Sequence, residues 1–503
     1  QRRVGFFDRA TRVLALDTLR LPLVMESDTA SDLLTFLASL SAAERPRTVY
    51  ITGGDAAATT PAPEWFTEPV LSGWNLRRWH DSADRRTGVY DRVYDRGSLS
   101  SGVTLDLRMA APWFGAETDP AVCLAAWRLL GQQLRGAFGN HLSLLTTPAM
   151  TGTALLEASL PLNVAIPTLP AALRAQISAF ATQGRRELFP LPGRQPVLVP
   201  ELVELDCRFA YAACMHHLPV GAVVHDATPA LTPYVPGFYL VQATVPRDWS
   251  HIGLLPDLAS IEDVNERVSY PRRPRQRFWS WATGAEVELA QSQGWRVVIH
   301  QRILWPETHR RPDVARFWIE RLVALRAQFR QRPDSEAELA ANAVRHLVID
   351  AIGSFARQER PEHGILPLAR IDELPQGAIP HVEDGQVLWQ RLAPIAPDLL
   401  RYAHPEWAAT VWGRTRVRLA KQALRVPFAS LVALRTDGIW TCANAYELAV
   451  AEFNDHAEKP GTWRVKSALS GPLAWPQNEA ELIALMRRAR TPARGAEDAE
   501  EGD

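Results

Sequence analysis

The alternation of apolar and polar positions divides the start of the chain into strands and helices. Val13–Leu16 and Thr48–Thr52 are short apolar runs typical of buried strands, and Ala30–Ser41 between them places leucines at helical spacing. Pro120–Phe138 has the pattern of an amphipathic helix, and a glycine follows it. The order strand, helix, strand predicts an α/β domain over residues 1–190.

The rest of the chain predicts further strands and helices. Leu202–Met215 is apolar with isolated charges, and Gly237–Val245 alternates like a strand. The other predicted elements are a helix at Glu286–Gln293, a strand at Trp295–Ile303, helices at Val314–Phe329, Ser335–Gln358 and Arg414–Leu424, and two paired strands at Ala429–Leu434 and Ile439–Cys442. We expect a multidomain α/β and α+β protein with a disordered acidic tail at Thr491–Asp503.

Composition narrows the class of protein. The chain has 503 residues, 47% of them hydrophobic, which predicts two to four globular domains. The net charge of −1 means that a nucleic-acid partner would be met by a local basic patch. The four cysteines form no CxxC pair, so neither a disulfide framework nor a zinc site is expected. Without a signal-peptide pattern or a long apolar run, we expect a cytoplasmic protein with no membrane partner.

Three segments carry candidate chemistry. Asp206 closes an apolar strand, and Tyr211 follows it by five residues on a predicted helical turn. Arg345 lies on the long helix that ends near Gly353. Asp437 lies at the tip of a predicted hairpin, which would deliver its carboxylate beside Asp206. Each feature alone also fits a helix cap, a solvated arginine or an ordinary turn.

The three segments, in this order, resemble motifs A, B and C of family B DNA polymerases. The resemblance implies that Asp206 and Asp437 are the catalytic carboxylates that bind both metal ions, and that Tyr211 packs under the sugar of the incoming nucleotide. Arg345 would be the motif B cation for the triphosphate. Arg435 replaces the first acid of motif C, and it would either weaken metal binding or take triphosphate charge itself.

Some positions of motif B depart from the family pattern. Ile349, Ile352 and Ser354 stand where the family has Asn, Tyr and Lys, which affects the contacts expected to the nucleotide base. Weaker similarities flank the motifs, at Ala181–Arg185 with the linker motif of protein-primed members, and at Gly461–Lys466 with the strand that leads to a primer-gripping lysine, here Lys466.

The resemblance implies a right-hand polymerase, closest in layout to the protein-primed branch. Its expected parts are a degenerate exonuclease-like domain (1–190), the first part of the palm (191–270), the fingers (271–365), the second part of the palm (366–455), a thumb or C-terminal region (456–490) and the tail (491–503). The family's first exonuclease motif is Asp-x-Glu on a strand. The best match, Asp17, is followed by Leu19 at the second acidic position, so no proofreading is expected.

The implied reaction is nucleotidyl transfer to a DNA primer–template from deoxynucleoside triphosphates. Such transfer uses two divalent cations, and oxygen ligands select Mg²⁺, or Mn²⁺ in its place. Two basic segments are candidates for contacts to the DNA backbone, with Arg273, Arg275 and Arg277 in the first, and Arg416 and Lys421 on the helix before Asp437 in the second. Solvated charged faces are the simpler interpretation of both.

Two functions from different classes therefore compete. One is a template-directed DNA polymerase without proofreading, belonging to a mobile element, phage or plasmid and assisted by a terminal or accessory protein. The other is a polymerase-fold protein that has lost catalysis and serves as a DNA-binding or assembly subunit. Asp206, Tyr211 and Asp437 favour the enzyme, whereas Arg435 and the altered motif B favour the binding protein. A metal-dependent nuclease that uses the same two aspartates is disfavoured, because we expect neither a third acid nor a histidine at the site.

Overall fold

The structure of the chain is a computed structural model. It describes residues 3–18, 22–52, 63–69, 74–80, 87–92 and 103–490, apart from gaps at 116, 118, 141, 162–165, 167, 182–183, 192–196, 261–267, 358–359, 384, 394, 396–399 and 443–459. The acidic tail, for which we expected disorder, lies outside the described residues, as do Thr182 and Gln183 of the linker-like segment.

The described strands are β1 (Val4–Asp8), β2 (Val13–Leu16), β3 (Leu23–Val24), β4 (Thr48–Ile51), β5 (Trp74–His80), β6 (Thr87–Arg92), β7 (Thr104–Met109), β8 (Arg186–Leu188), β9 (Leu198–Cys207), β10 (Val224–Asp226), β11 (Gly237–Thr244), β12 (Arg277–Thr283), β13 (Arg296–Leu304), β14 (Arg360–Pro367), β15 (Ile379–Glu383), β16 (Gln386–Ala393), β17 (Leu431–Arg435), β18 (Gly438–Cys442) and β19 (Trp463–Ala474).

The described α-helices are α1 (Ala30–Ser39), α2 (Pro63–Thr67), α3 (Ala111–Phe114), α4 (Pro120–Phe138), α5 (Pro148–Ser159), α6 (Ala171–Phe180), α7 (Ala210–Cys214), α8 (Gly284–Ser292), α9 (Arg316–Arg330), α10 (Ser335–Phe355), α11 (Pro405–Ala423) and α12 (Glu479–Arg490). In these helices we find none that is both long and apolar enough to cross a membrane.

The chain divides into two compact units. Unit 1 comprises residues 1–160 and 317–403, and unit 2 comprises residues 161–316 and 404–503. The residues 317–403, which the sequence assigned to the fingers and the second part of the palm, thus make their contacts with the N-terminal part of the chain. The expected mixture of α/β and α+β architecture is present, and the subdomain boundaries stay predictions.

Unit 1 is built on a mixed sheet. Its described strands form a ten-stranded sheet in the order β15-β16-β14-β5-β6-β7-β4-β1-β2-β3, in which β4 runs parallel to β1 and β7. Leu33 and Leu37 of α1 pack on Phe7 and Val49 of the sheet, which explains the leucine spacing seen in the sequence. Helix α10 packs tightly against α5, because a Cβ on Gly152 would lie 2.1 Å from the Leu347 carbonyl oxygen.

Unit 2 contains two antiparallel sheets. The first has the strand order β10-β13-β11-β12, and the second has the order β19-β9-β18-β17-β8. Apolar side chains from both sheets and from α11 share one core, in which Leu205, Val241 and Leu419 are buried. The opposite face of the second sheet packs on α12, and part of the opposite face of the first packs on α6.

Candidate active site

The two aspartates predicted to act together lie at the same end of neighbouring strands. Asp206 is the penultimate residue of β9, and Gly438, the first residue of β18, is directly opposite it. The backbone N–H of Cys207 donates a hydrogen bond to the carbonyl oxygen of Asp437 at 2.9 Å. The pairing register therefore brings the backbone of Asp437 alongside that of Asp206.

The backbone is strained on both sides of this pair. Thr436, the first of two residues that link β17 to β18, has a φ of 56°, and Phe209, which caps α7 after β9, has a φ of 46°. Left-handed backbone in a residue other than glycine costs of order 1–3 kcal/mol and occurs often at functional sites. The strain marks this hairpin turn and the end of β9 as a site of interest.

Contacts with the segment before β8 hold the Thr436 turn in place. The Thr436 N–H donates to the Arg185 carbonyl oxygen at 2.6 Å, and a Cβ on Gly184 would lie 2.6 Å from Thr436 Cγ2. The Arg185 side chain is buried, forms an ion pair with Glu187 and lies over the ring of Tyr270 at 4.1 Å. Gly184 and Arg185 of the linker-like segment thus pack directly against the turn that carries Asp437.

Two cations contact the Asp206 carboxylate. Lys466 was a candidate from the sequence, whereas Arg464 was not. Arg464 lies opposite Asp206 on β19, and its guanidinium approaches one carboxylate oxygen at 3.3 Å. Lys466 Nζ approaches the other oxygen at 3.4 Å and also contacts Glu204 at 3.2 Å. The Asp206 side chain is 11% exposed, whereas Arg464 and Lys466 are about one-third exposed. Two partly exposed cations therefore balance two shielded carboxylates, Asp206 and Glu204.

Arg464 and Glu204 were missed in the sequence. The available signal was alternation, because Glu204 precedes Asp206 by two residues on one strand and therefore shares its face of the sheet. Arg464 could not be placed opposite Asp206 without knowing the register of β19.

Arg435 lies in the same cross-strand row as Asp206. The row runs across the second sheet through Arg464, Asp206, Gly438, Arg435 and Arg186. Arg435 also forms an ion pair at 2.8 Å with Glu479 of α12. The row holds three guanidinium groups, of which Arg464 is paired with Asp206 and Arg435 with Glu479. The row together with Glu479 therefore carries a net charge of +1.

The predicted residues on α7 and α11 have different environments. Tyr211 is partly buried on α7 and interacts electrostatically with Arg416. Arg416, which we expected to contact DNA, is instead buried, and its guanidinium binds the buried Glu286 carboxylate at 2.7 Å. Burial alone would lower the pKa of Arg416, but Glu286, Tyr270 and Tyr211 together outweigh burial and the pKa lies above its usual value. Lys421 on the same helix is exposed.

The remaining candidates are distributed over both units. Arg273, Arg275 and Arg277 are exposed in unit 2, just before and at the start of β12. Arg345 is half-buried on α10 in unit 1. Each of these residues would contact phosphate only if the ligand reaches that surface of its unit.

The carboxylates can be tested for their fit to the divalent cation that the resemblance implies. Asp206 and Asp437 supply hard oxygen donors of the kind that Mg²⁺ and Mn²⁺ prefer. Within the part of the chain that the structure describes, no group of three His, Cys, Asp or Glu side chains has the arrangement of a metal site. The two carboxylates are therefore the type of ligand that a divalent cation requires. To bind one, Asp206 has to exchange its contacts with Arg464 and Lys466 for the metal.

Unit 1 contains an acid that the sequence analysis overlooked. Asp8 ends β1, which runs parallel to β4, so it is a further aspartate on a strand that can be compared with the Asp-x-Glu pattern. Its carboxylate accepts hydrogen bonds from Ala10 N and from Thr11, and Ala10 stands where the second acid of Asp-x-Glu would be. Asp17 follows β2 and binds Arg128 at 2.9 Å. Neither candidate retains the acid pair.

Over 93% of its length the chain has a fold similar to that of several solved structures. It is similar to phi29 DNA polymerase complexed with primer-template DNA, with 10% identity, a TM-score of 0.57, and coverage of 93% of this chain and 85% of that one. The complex of phi29 DNA polymerase with primer-template DNA and incoming nucleotides gives 9% identity, a TM-score of 0.57, and coverage of 93% and 86%.

The complex of the same polymerase with single-stranded DNA gives 12% identity, a TM-score of 0.56, and coverage of 93% and 85%. No family model matches the sequence, and no curated protein does. At this identity the similarity shows the fold alone.

Proposed function

We propose that the protein is a template-directed DNA polymerase of the family B type that lacks a proofreading exonuclease. The observation that carries the proposal is the register of β9 and β18, which brings Asp206 and Asp437 to one end of adjacent strands within a fold similar to that of phi29 DNA polymerase. The substrates would be a DNA primer–template and deoxynucleoside triphosphates, in keeping with the primer-template DNA and incoming nucleotides named for those similar structures.

In this proposal Asp206 and Asp437 hold Mg²⁺ or Mn²⁺. When bound, the metal activates the primer 3′-hydroxyl and neutralises charge on the triphosphate. Arg464 and Lys466 release Asp206 and turn their charge toward phosphate, for which their exposure of about one-third leaves room. Lys466 would contact the primer strand, as the resemblance implies.

The other predicted residues would bind the nucleotide and the DNA. Tyr211 would lie under the sugar, and Arg345 and Arg435 would bind the triphosphate, Arg435 after exchanging its ion pair with Glu479. Lys421 and the exposed arginines before β12, Arg273, Arg275 and Arg277, would contact the DNA backbone. We retain the palm, fingers, thumb and degenerate exonuclease assignments, a terminal or accessory protein and a cytoplasmic location as parts of the proposal.

Primer extension with Mg²⁺ or Mn²⁺ tests the proposal. The Asp437→Asn variant should lose extension but bind primer–template with equal or higher affinity in the absence of metal, because a carboxylate near phosphate repels it. Asp248→Asn, at an exposed aspartate elsewhere in unit 2, is the matched control and should extend normally. Equal loss of extension in both variants, or loss of binding together with activity in Asp437→Asn, would contradict the proposal.

A second function is favoured by the cations around Asp206. Arg464 and Lys466 already compensate the carboxylate, as they would in a DNA-binding or assembly subunit that has given up catalysis. For this function the wild-type chain should bind primer–template but extend it with neither metal. The double variant Arg464→Gln/Lys466→Gln should then weaken DNA binding, since the two cations would contact phosphate directly.

A further inference from the structure

The first sheet of unit 2 has one face that is only half covered. At one end of this face, Phe238 and Trp281 pack against Phe180 of α6, whose ring stacks on Trp281 at 4.7 Å. Helix α6 ends at Phe180, and the next residues along β11, β12 and β13 on the same face are exposed or half-buried. The other end of the face is therefore open to solvent.

The open end combines basic, aromatic and uncharged polar side chains. Two cross-strand rows form it, because Thr244 of β11 is paired with both Arg277 and Arg296, and Gln242 is paired with both Trp279 and Val298. We call these residues, together with His300, the open platform; its members are Gln242, Thr244, Arg277, Trp279, Arg296, Val298 and His300. The platform contains two guanidinium groups and no carboxylate.

An exposed tryptophan lies on the edge strand of the platform. Trp279 is 40% exposed, although the indoles Trp281 and Trp295 of the same unit are buried. The ring of His300, which stands at the bulge of β13, lies 4.5 Å from the Trp279 ring. A large aromatic surface held by strand backbone and left in solvent is a stacking surface for another flat group.

Arg277 and Arg296 flank this ring in the neighbouring row. Both are exposed, and neither forms an ion pair with any residue that the structure describes. They stand on β12 and β13, on either side of Thr244 of β11, so the row carries two cations on separate strands. Guanidinium groups of this kind beside an aromatic ring match a ligand that alternates flat bases with phosphates.

We propose that the open platform binds a single-stranded polynucleotide, with a base stacked on Trp279 and the flanking phosphates bound by Arg277 and Arg296. An unpaired strand is required because a duplex keeps the faces of its bases stacked on one another. Thr244 and Gln242 are on β11, between β12 and β13. Their polar side chains form hydrogen bonds with the polynucleotide without selecting a sequence. The platform is on the first sheet of unit 2, whereas Asp206 is on the second, and Arg277 is the one platform residue that the proposed polymerase function also uses.

Fluorescence anisotropy with the full chain tests the platform. The probe is a labelled oligothymidylate of about ten nucleotides, within the site sizes of known single-strand binders. Trp279→Ala should weaken binding roughly 5- to 150-fold, the value of one base–aromatic stacking interaction, and Trp279→Phe should restore most of the affinity. Tyr234→Ala is the matched control, because Tyr234 is 88% exposed and lies outside the strands of this sheet.

The charge contribution has its own control. Arg277→Gln/Arg296→Gln should lower the slope of log affinity against log salt by about 0.7 for each phosphate that the variant no longer neutralises. Arg310→Gln, an exposed arginine in the turn after β13, should leave the slope unchanged. An unchanged slope in the double variant would contradict the binding of phosphate by these two arginines.

Three further results decide the proposal. A duplex of the same length should bind equally to the wild type and to Trp279→Ala, and a strand with 5-iododeoxyuridine should crosslink to the peptide that contains Trp279. An oligouridylate tested in parallel identifies RNA or DNA as the preferred strand by its affinity. The proposal is overturned if neither strand binds, if Trp279→Ala binds as tightly as the wild type, if Tyr234→Ala loses as much affinity, or if the crosslink maps elsewhere.

Discussion

The buried pair between Arg416 and Glu286 should determine the stability of unit 2 and contribute nothing directly to DNA binding. The side chains are only 7% and 2% exposed, and Arg416 contacts the carboxylate through Nε at 2.7 Å and Nη2 at 3.2 Å. The same carboxylate accepts two hydrogen bonds at 2.9 Å from Thr283 and completes the capping box of α8. One charge pair thus links α8 to α11.

The substitution Arg416→Met keeps the apolar stem but leaves the Glu286 carboxylate buried without its counter-charge. Removing one partner of a buried ion pair costs about 3–5 kcal/mol of the free energy of unfolding. For a unit of this size the cost corresponds to a fall in melting temperature of roughly 6–20 °C. Glu286→Gln in the Arg416→Met background should recover part of this loss, because the neutral amide keeps the cap without the unpaired charge.

Calorimetry and DNA titration together check the prediction. Lys421→Gln is the matched variant on the same helix, and it should leave the melting temperature unchanged while reducing the salt dependence of DNA binding. Folded Arg416→Met should bind DNA with the salt dependence of the wild type. The reasoning is refuted if Arg416→Met melts like the wild type and binds DNA more weakly, since Arg416 would then face the ligand.

Three further predictions concern glycines and thiols. Gly353→Ala should stabilise α10 by about 0.5–1 kcal/mol, since a Cβ there meets nothing within 4 Å, and loss of primer extension in this more stable variant would show that a nucleotide approaches the glycine. In chemical denaturation, Gly184→Ala should cost about 1–3 kcal/mol because its Cβ would clash with Thr436, whereas Gly136→Ala, in open space on α4, should stabilise the helix by about 0.5–1 kcal/mol, as Gly353→Ala does for α10. Burial raises the pKa of Cys207 to about 12 and that of Cys442 to about 11, so both thiols should resist alkylation at neutral pH until the protein unfolds. Because unfolded thiols ionise first, stability should fall as the pH rises above about 8.5, and native alkylation as fast as that of denatured protein would contradict this.

The sequence predicted elements best where one face of an element is buried. Helix α4 has the predicted bounds Pro120–Phe138, and α10 and β13 begin and end close to their predicted positions, because their apolar residues recur at the period of the element. Helix α11 was predicted to begin at Arg414 but begins at Pro405. Its first turns are buried on all sides, so they have no polar face to produce a period.

The candidate site was predictable only in its local features. The apolar strand before Asp206 and the hairpin turn at Asp437 are both present, since each follows from neighbouring residues. The burial of Arg416 was not predictable, because its partner Glu286 lies 130 residues away in sequence. The same holds for Arg464, whose contact with Asp206 spans 258 residues. A charged residue on a helix or strand is normally expected to be exposed, but a counter-charge from a distant part of the sequence can allow it to be buried.

The charges around Asp206 connect the two candidate functions through a single competition. A divalent cation and the pair Arg464 and Lys466 would bind the same carboxylate oxygens, so each is favoured when the other is withdrawn. A triphosphate or a primer phosphate would attract Arg464 and Lys466 away from Asp206 and would thereby free the carboxylate for metal. Substrate and metal binding would then be coupled in an enzyme, whereas in a binding subunit the cations would serve phosphate and Asp206 would only orient them. The coupling between metal and DNA affinity is therefore the property in which the two functions differ.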